Sequence, residues 1–231
     1  MPAPNRDTSS MTPGRQADDE SGVLVDVHVG RAREVPTNRE PVTTAIWKNR
    51  VQGRVAVRGV NIEGDEQADT SVHGGPDKAV YAYAEEEVAI WRRELGRDLG
   101  EAAFGQNLTT RGVDVSGAVI GERWAIGAAL FEVAQPRQPC FKLGLRVGEP
   151  GFVRRFAHAS RPGAYLRIVE EGDIGAGDPI TITSRPDHAV TCRIVSDAIL
   201  RDPSLLPAVV QAPQLPAGLR AWMLDRIAAT Q

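Results

Sequence analysis

The feature that most constrains this chain is a series of short apolar runs at period two, separated by glycine-rich turns, between Gly22 and about Arg185. "GVLVDVHVGR" alternates through Val23, Val25, Val27 and Val29, and "GRVAVRGVNIEGD" through Val55, Val57, Val60 and Ile62. "WAIGAALFEVAQ" and "PITITS" repeat the pattern. Period-two alternation places one set of side chains on a single strand face. The turn signals between the runs are "EGD" at 63–65, "IGE" at 120–122 and "GAGD" at 175–178. Many short strands joined by tight turns predict a barrel or a strongly bent sheet.

Helical spacing interrupts the strands twice. "AEEEVAIWRRELG" sets Val88, Trp91 and Leu95 on one stripe and stops at Gly96, a C-terminal cap. "GFVRRFAHAS" gives a shorter helix with Phe152, Val153 and Phe156. After "SRPDH" the texture changes. Val190, Ile194, Val195 and Ile199 are spaced helically, as are Leu219, Trp222, Met223 and Ile227, with prolines at 203, 207, 213 and 216 breaking the pieces. Residues 187–231 therefore read as a segment of about three helices, too small to bury a core alone and expected to pack on the barrel. The fold class is α+β: residues 1–22 a Pro/Ser/Asp-rich disordered tail, 23–185 a β-rich barrel-like domain, and 187–231 the helical segment.

Charge and composition exclude several functions. A net charge of −3 gives no global field for nucleic acid or an acidic membrane. Aromatics at 5% without basic interleaving do not suggest a single-strand nucleic-acid surface. No apolar run approaches the length of a membrane span, and the first residues lack the apolar core of a signal peptide. Two cysteines in unlike contexts do not make a disulfide framework, so reduced thiols and a cytoplasmic address are the default expectation. The phosphate-loop, dinucleotide, serine-elbow, HExxH and CxxC signatures are absent, and the scattered histidines His28, His73, His158 and His188 do not suggest zinc.

Four stretches could carry chemistry. In "QPRQPCFKLG", Cys140 has Arg137 three residues before it and Lys142 two after. A thiol acts as nucleophile or metal ligand only as thiolate, a form that cations favour. Pro136 and Pro139 stiffen the segment and keep it out of a central strand. An inert cysteine on a loop is the competing reading, and for Cys192, inside a helical run, it is the favoured one. "HGGPDK" combines His73, a hydrogen-bond donor or proton carrier, with Gly74 and Gly75, whose backbone can approach a ligand closely; it also reads as a plain tight turn. In "FGQNLTT", Asn107 can donate and accept, and Thr109 and Thr110 either bind an anion or enter a strand. In "TTAIWKNR", Lys48 and Arg50 are either anion contacts or solvated strand residues.

None of the four is decisive alone. In their order and spacing, "TAIWK", "GDEQAD", "HGGPDKAVYAY", "FGQNLTT" and "VIGERWAIGAALFEVAQPRQPCFKL" closely resemble the MOSC domain, named for the C-terminal domain of molybdenum-cofactor sulfurases, and most nearly its stand-alone bacterial YiiM-like branch. The resemblance runs from Val23 to Ser184, and the helical tail is similar to the segment that follows the domain in that branch. It implies a β-rich barrel with a pocket for molybdenum cofactor (Mo-molybdopterin). It implies that Cys140 is the protein ligand to the metal, and that the activity is reduction of N-hydroxylated compounds such as hydroxylaminopurines and amidoximes. On that reading Lys48, Lys78, Arg137 and Lys142 supply cations for the anionic cofactor, and Gly74 and Gly75 supply N–H groups. His73 contacts the cofactor or moves a proton, Asn107 meets the pterin edge, and Asp65 and Asp77 orient the bases. A chain without a flavin or iron–sulfur signature needs a separate electron-donating reductase, itself a flavin or iron–sulfur protein. The family also includes proposed cofactor carriers and sulfur-transfer proteins, in which Cys140 would hold a persulfide. A plain interaction domain with an inert Cys140 is a third possibility.

Overall fold

A computed structural model describes residues 21–68 and 74–230. Its strands are β1 (Ser21–Val29), β2 (Arg33–Val35), β3 (Val42–Thr44), β4 (Asn49–Arg50), β5 (Arg54–Arg58), β6 (Asn61–Ile62), β7 (Val80–Ala84), β8 (Leu108–Arg111), β9 (Arg123–Ile126), β10 (Ala129–Gln135), β11 (Ala164–Glu170), β12 (Gly172–Gly175) and β13 (Pro179–Ser184). Its helices are α1 (Glu85–Leu95), α2 (Phe141–Val147), α3 (Phe152–His158), α4 (Cys192–Leu200), α5 (Leu206–Val209) and α6 (Ala217–Ala228).

Among the described residues the main sheet closes on itself. The order β13-β9-β10-β11-β7-β8-β1 returns to β13 through a pairing of β1 with β13, giving a seven-strand barrel with β4 extending one end of β1. Closure removes the unpaired edges that an open sheet would present. Six of the barrel contacts are antiparallel, and β7 with β8 is parallel. A parallel pair needs a crossover connection, which α1 provides. Glutamates fill the first turn of α1, Arg92 and Arg93 the last, and Gly96 caps it in the left-handed conformation.

Strand β7, "VYAYA", is buried on both faces. Val80, Ala82 and Ala84 point into the barrel core with Leu108, Trp124 and Phe131. Tyr81 and Tyr83 point the other way, into an aromatic layer with Trp91, Phe104, Phe152 and Phe156 beneath α1, α2 and α3. The C-terminal helices complete the barrel core: Cys192, Val195, Leu206, Val209 and Met223 belong to it. A Val119–Thr191 bridge and the Ile120 N–H bond to the Val190 carbonyl tie the helical segment to the barrel, and Thr191 caps α4 by accepting from the Ile194 N–H at 3.2 Å.

Three sequence expectations are corrected. The valines of β1 do not share one buried face: a register shift between Leu24 and Asp26 instead buries Leu24 and Val27, because a bulge breaks period two. Val60 is 44% exposed because it occupies the turn between β5 and β6. Trp222 is 41% exposed under the Arg226 guanidinium, and Met223 fills the core position beside it. In addition, β1 begins at Ser21, two residues before the expected boundary, and the remainder of the expected tail, residues 1–20, lies outside the described residues.

Candidate functional site

The loops that follow β3, β6 and β10 converge with β7 and β11 on one cleft, enclosing about 620 Å³ of space partly open to solvent. Gly105 marks how closely these loops pack: its φ is +70°, and a Cβ there would meet the Ile46 side chain at 2.5 Å. Lys48, Lys78, Asn107, Arg137, Cys140 and Lys142, six of the residues singled out from sequence, all line this cleft.

Lys48 lies in the loop between β3 and β4 and is buried rather than solvated. Its ammonium is bonded to Asp65. Burial lowers the Lys48 pKa and the Asp65 charge opposes that effect. Asp65 is itself held by the Gly30 N–H at 2.7 Å and by the Asn107 amide at 2.8 Å. The rest of the Asn107 amide is also committed, donating to the His28 carbonyl at 3.1 Å and accepting from the Tyr81 N–H at 3.1 Å. Asn107 thus ties β1, β7 and the Asp65 loop together and fixes the carboxylate that fixes Lys48.

Arg137 is 6% exposed. It donates to the Phe104 carbonyl at 2.5 Å, lies 5.0 Å from the centroid of the Tyr81 ring, and brings Nη2 to 4.0 Å from the Cys140 sulfur. Its Nε is buried without a partner. Tyr81 and Tyr165 pair at 5.1 Å between centroids, and the Tyr81 hydroxyl donates to the Pro162 carbonyl at 2.9 Å. Burial raises the pKa of both phenols against the pull of Arg137.

Cys140 ends the proline-stiffened loop after β10, as the sequence suggests, but a helix that the sequence reading missed starts immediately after it. Cys140 is the N-cap of α2: its backbone is extended, its carbonyl accepts from the Leu143 N–H at 3.0 Å, and its side chain makes no capping bond. Leu143 and Val147 bury one side of α2 while Phe141 is 58% exposed. The spacing of Leu143 and Val147 was the available signal. Half-buried Cys140 also borders a second, larger chamber, and Lys78 and Tyr165 likewise line both cavities. Burial lowers the Lys78 pKa, with the Asp77 charge opposing it.

Other expected residues fall elsewhere. Gly75 has φ +87°, and its N–H donates to the Gln67 side chain at 2.8 Å, so it is engaged within the protein. Gly74 lines the second chamber, and His73 lies outside the described residues. Thr109 and Thr110 are buried in β8 and do not form an anion loop. Arg50 is ion-paired with Asp26 outside the cleft. Asp77 pairs with Arg167 at 2.6 Å. Cys192 is fully buried in the core, where burial pushes its thiol pKa up. Tyr81 and Tyr165, which no motif had flagged as site residues, line the cleft.

A family model described as the MOSC domain matches residues 69–181. The chain is 31% identical to YflK of Bacillus subtilis over 86% of its own length and 90% of that protein's. It is 33% identical to YiiM of Escherichia coli over 70% of this chain and 72% of that one. A protein of Gibberella moniliformis named "Reductase" is 35% identical over 71% of this chain but 30% of its own length. The crystal structure of YiiM from Geobacillus stearothermophilus superposes with a TM-score of 0.72 at 26% identity, covering 89% of this chain and 98% of that one.

Proposed function

Since the chain belongs to the MOSC domain family and is YiiM-like within it, we propose that it is a molybdenum-cofactor-dependent reductase of N-hydroxylated compounds, with Cys140 as the protein ligand to the metal. The observation that carries this reading is that Cys140 lines both a cation-lined cleft and a second chamber. A cofactor in one and a substrate in the other would share one sulfur.

The residues present fit the cofactor. Lys48, Lys78, Arg137 and Lys142 face two carboxylates, Asp65 and Glu66, so the cleft has a surplus of positive charge for an anionic ligand. The buried Nε of Arg137 is a donor with no acceptor among the described residues. Among the described residues no cluster of three histidine, cysteine or carboxylate groups could hold a metal. Cys140 is thus the soft sulfur ligand that this cleft would offer a metal held by the cofactor.

In the proposed reaction R–NHOH takes up two electrons and two protons to give R–NH2 and water: the N–O bond breaks, one proton goes to nitrogen and one to the departing hydroxyl. The bound cofactor supplies the electron pair. Lys48, oriented by Asp65 and Asn107, holds the anionic cofactor together with Lys142 and Arg137. Arg137 also keeps a positive charge beside the Cys140 sulfur. Lys78, which lines both cavities and has its pKa lowered by burial, holds a proton close to the reacting bond. Tyr165, whose phenol stays protonated, donates a hydrogen bond there. Electrons return from a separate flavin or iron–sulfur reductase. The fungal relative named "Reductase", most of whose length lies outside the match, supports placing that supply outside a domain of this kind.

The test uses the full chain purified from a host shown to make the cofactor. Bound molybdenum near one per chain, N-hydroxyl reduction with a chemical electron donor, and loss of both in Cys140→Ala are the expected results. No molybdenum from that host overturns the reading. Molybdenum without turnover favours the carrier, and a persulfide on Cys140 by mass spectrometry favours sulfur transfer.

A further inference from the structure

Cys140 borders two cavities lined by different parts of the chain. In the cleft its neighbours are loops of the barrel. The second is a chamber of about 1280 Å³ that is partly open to solvent. Pro136 and Pro139 give that chamber rigid sides, and Pro216, Gly218 and Leu219, where α6 begins, also line it.

We propose that the start of α6 is the selecting wall of the substrate chamber, with Leu219 setting the size of the flat, uncharged ring that reaches Cys140. This rests on the reductase reading and gives the C-terminal helices a role in it.

The wall is fixed. Pro216 is buried as the N-cap of α6. Arg220 donates from Nε to the Val210 carbonyl at 2.9 Å, pinning the first turn to the segment before it. Met223, one turn on, is fully buried in the barrel core, and Leu219 packs against the same cluster. A wall anchored in the core keeps its position when a ligand presses on it, which size selection requires. The chemistry of the surfaces defines the ligand. Proline rings, the Tyr165 ring and Leu219 present apolar faces suited to a flat ring. Gln138 is exposed at the rim, where its amide can meet polar ring edges. The charged groups of the lining do not favour a charged ring: Asp77 is paired with Arg167, and Lys78 stands at the reacting end.

The experiment compares the full-length chain with Leu219→Trp and Leu219→Ala. One readout needs no cofactor: the rate of Cys140 alkylation by a bulky aromatic maleimide relative to iodoacetamide, followed by mass spectrometry. Leu219→Trp should lower that ratio about tenfold and Leu219→Ala should raise it, a change of the size one or two methylenes produce in a pocket. The second readout, on cofactor-loaded chain, is kcat/KM for a bicyclic hydroxylamino heterocycle relative to N-hydroxyurea, which should move the same way, mainly through KM. Leu224→Trp, at an exposed position on the same helix, should move neither ratio. Unchanged alkylation ratios in both Leu219 variants, with thermal unfolding like that of the parent, overturn the proposal even if the chain proves to be a reductase. If no N-hydroxyl compound is turned over, the reductase reading fails, and the alkylation ratios still decide whether α6 walls the approach to Cys140.

Discussion

The two cysteines of this chain occupy opposite kinds of environment. Cys192 starts α4 and is fully buried among Val195, Leu206 and Met223, where burial pushes its thiol pKa up. Cys140 is the N-cap of α2 and is half-buried, with a guanidinium nitrogen at 4.0 Å and two cavities bordering it. Both are the residue at which a helix begins or its N-cap, so helix position does not separate them. What differs is the partner surface: apolar side chains around one, and cations and cavities around the other. A thiol becomes useful where its charged form has company, and inert where the surroundings cannot accept charge.

The largest expected effect would break the comparison if it failed. Cys140→Ala should lower molybdenum content and N-hydroxyl reduction by more than about 100-fold while changing stability by less than about 1 kcal/mol, since the side chain is only half-buried. Metal analysis and urea unfolding on the same preparations check both halves.

Next is the support of the cleft. Asp65→Ala leaves Lys48 buried without its counter-charge and removes an acceptor from Gly30 and Asn107. A loss of about 3–5 kcal/mol is expected in urea unfolding. Asp65→Asn, which keeps an acceptor, should lose less.

Glu87 sharpens the contrast from the acidic side, because it is a buried titratable group remote from the cleft. It is 7% exposed, has one oxygen without a partner, and its pKa is raised to about 7, mainly by burial. Folded chains therefore hold this proton at pH values where unfolded chains have released it. Stability from this group is present at low pH and is lost as pH rises from about 4.5 to about 7. Full linkage amounts to about 3 kcal/mol. Glu87→Gln should flatten that slope and be the more stable form at pH 8, as read from urea midpoints across pH.

The smallest effect is at Cys192. Cys192→Ser buries a hydroxyl in an apolar cluster and should cost about 1–3 kcal/mol, with molybdenum content per folded chain unchanged. A loss of molybdenum in this variant would contradict the division between the two thiols.

Much of the fold was legible because local pattern encodes local structure. Period-two runs became strands, the stripe of Val88 and Trp91 became the buried face of α1, and Gly96 became its cap. The pattern failed where a neighbour decided the outcome. The bulge in β1 comes from pairing with β8, and Trp222 is left outside because Met223 takes the place in the core.

The sequence by itself determined the strongly patterned strands, α1, α3 and the C-terminal helices, the family, and Cys140, Arg137 and the lysines as candidates, because spacing and residue type reside in one stretch of chain. Only the tertiary structure decided that Asn107 holds Asp65, that Tyr81 and Tyr165 enter the cleft, and that the start of α6 lines a cavity bordering Cys140. The physical reason is chain distance. The Asn107–Asp65 bond joins residues 42 positions apart and the Arg137–Phe104 bond residues 33 apart. Such contacts exist only once the barrel has closed and its loops have converged at one end.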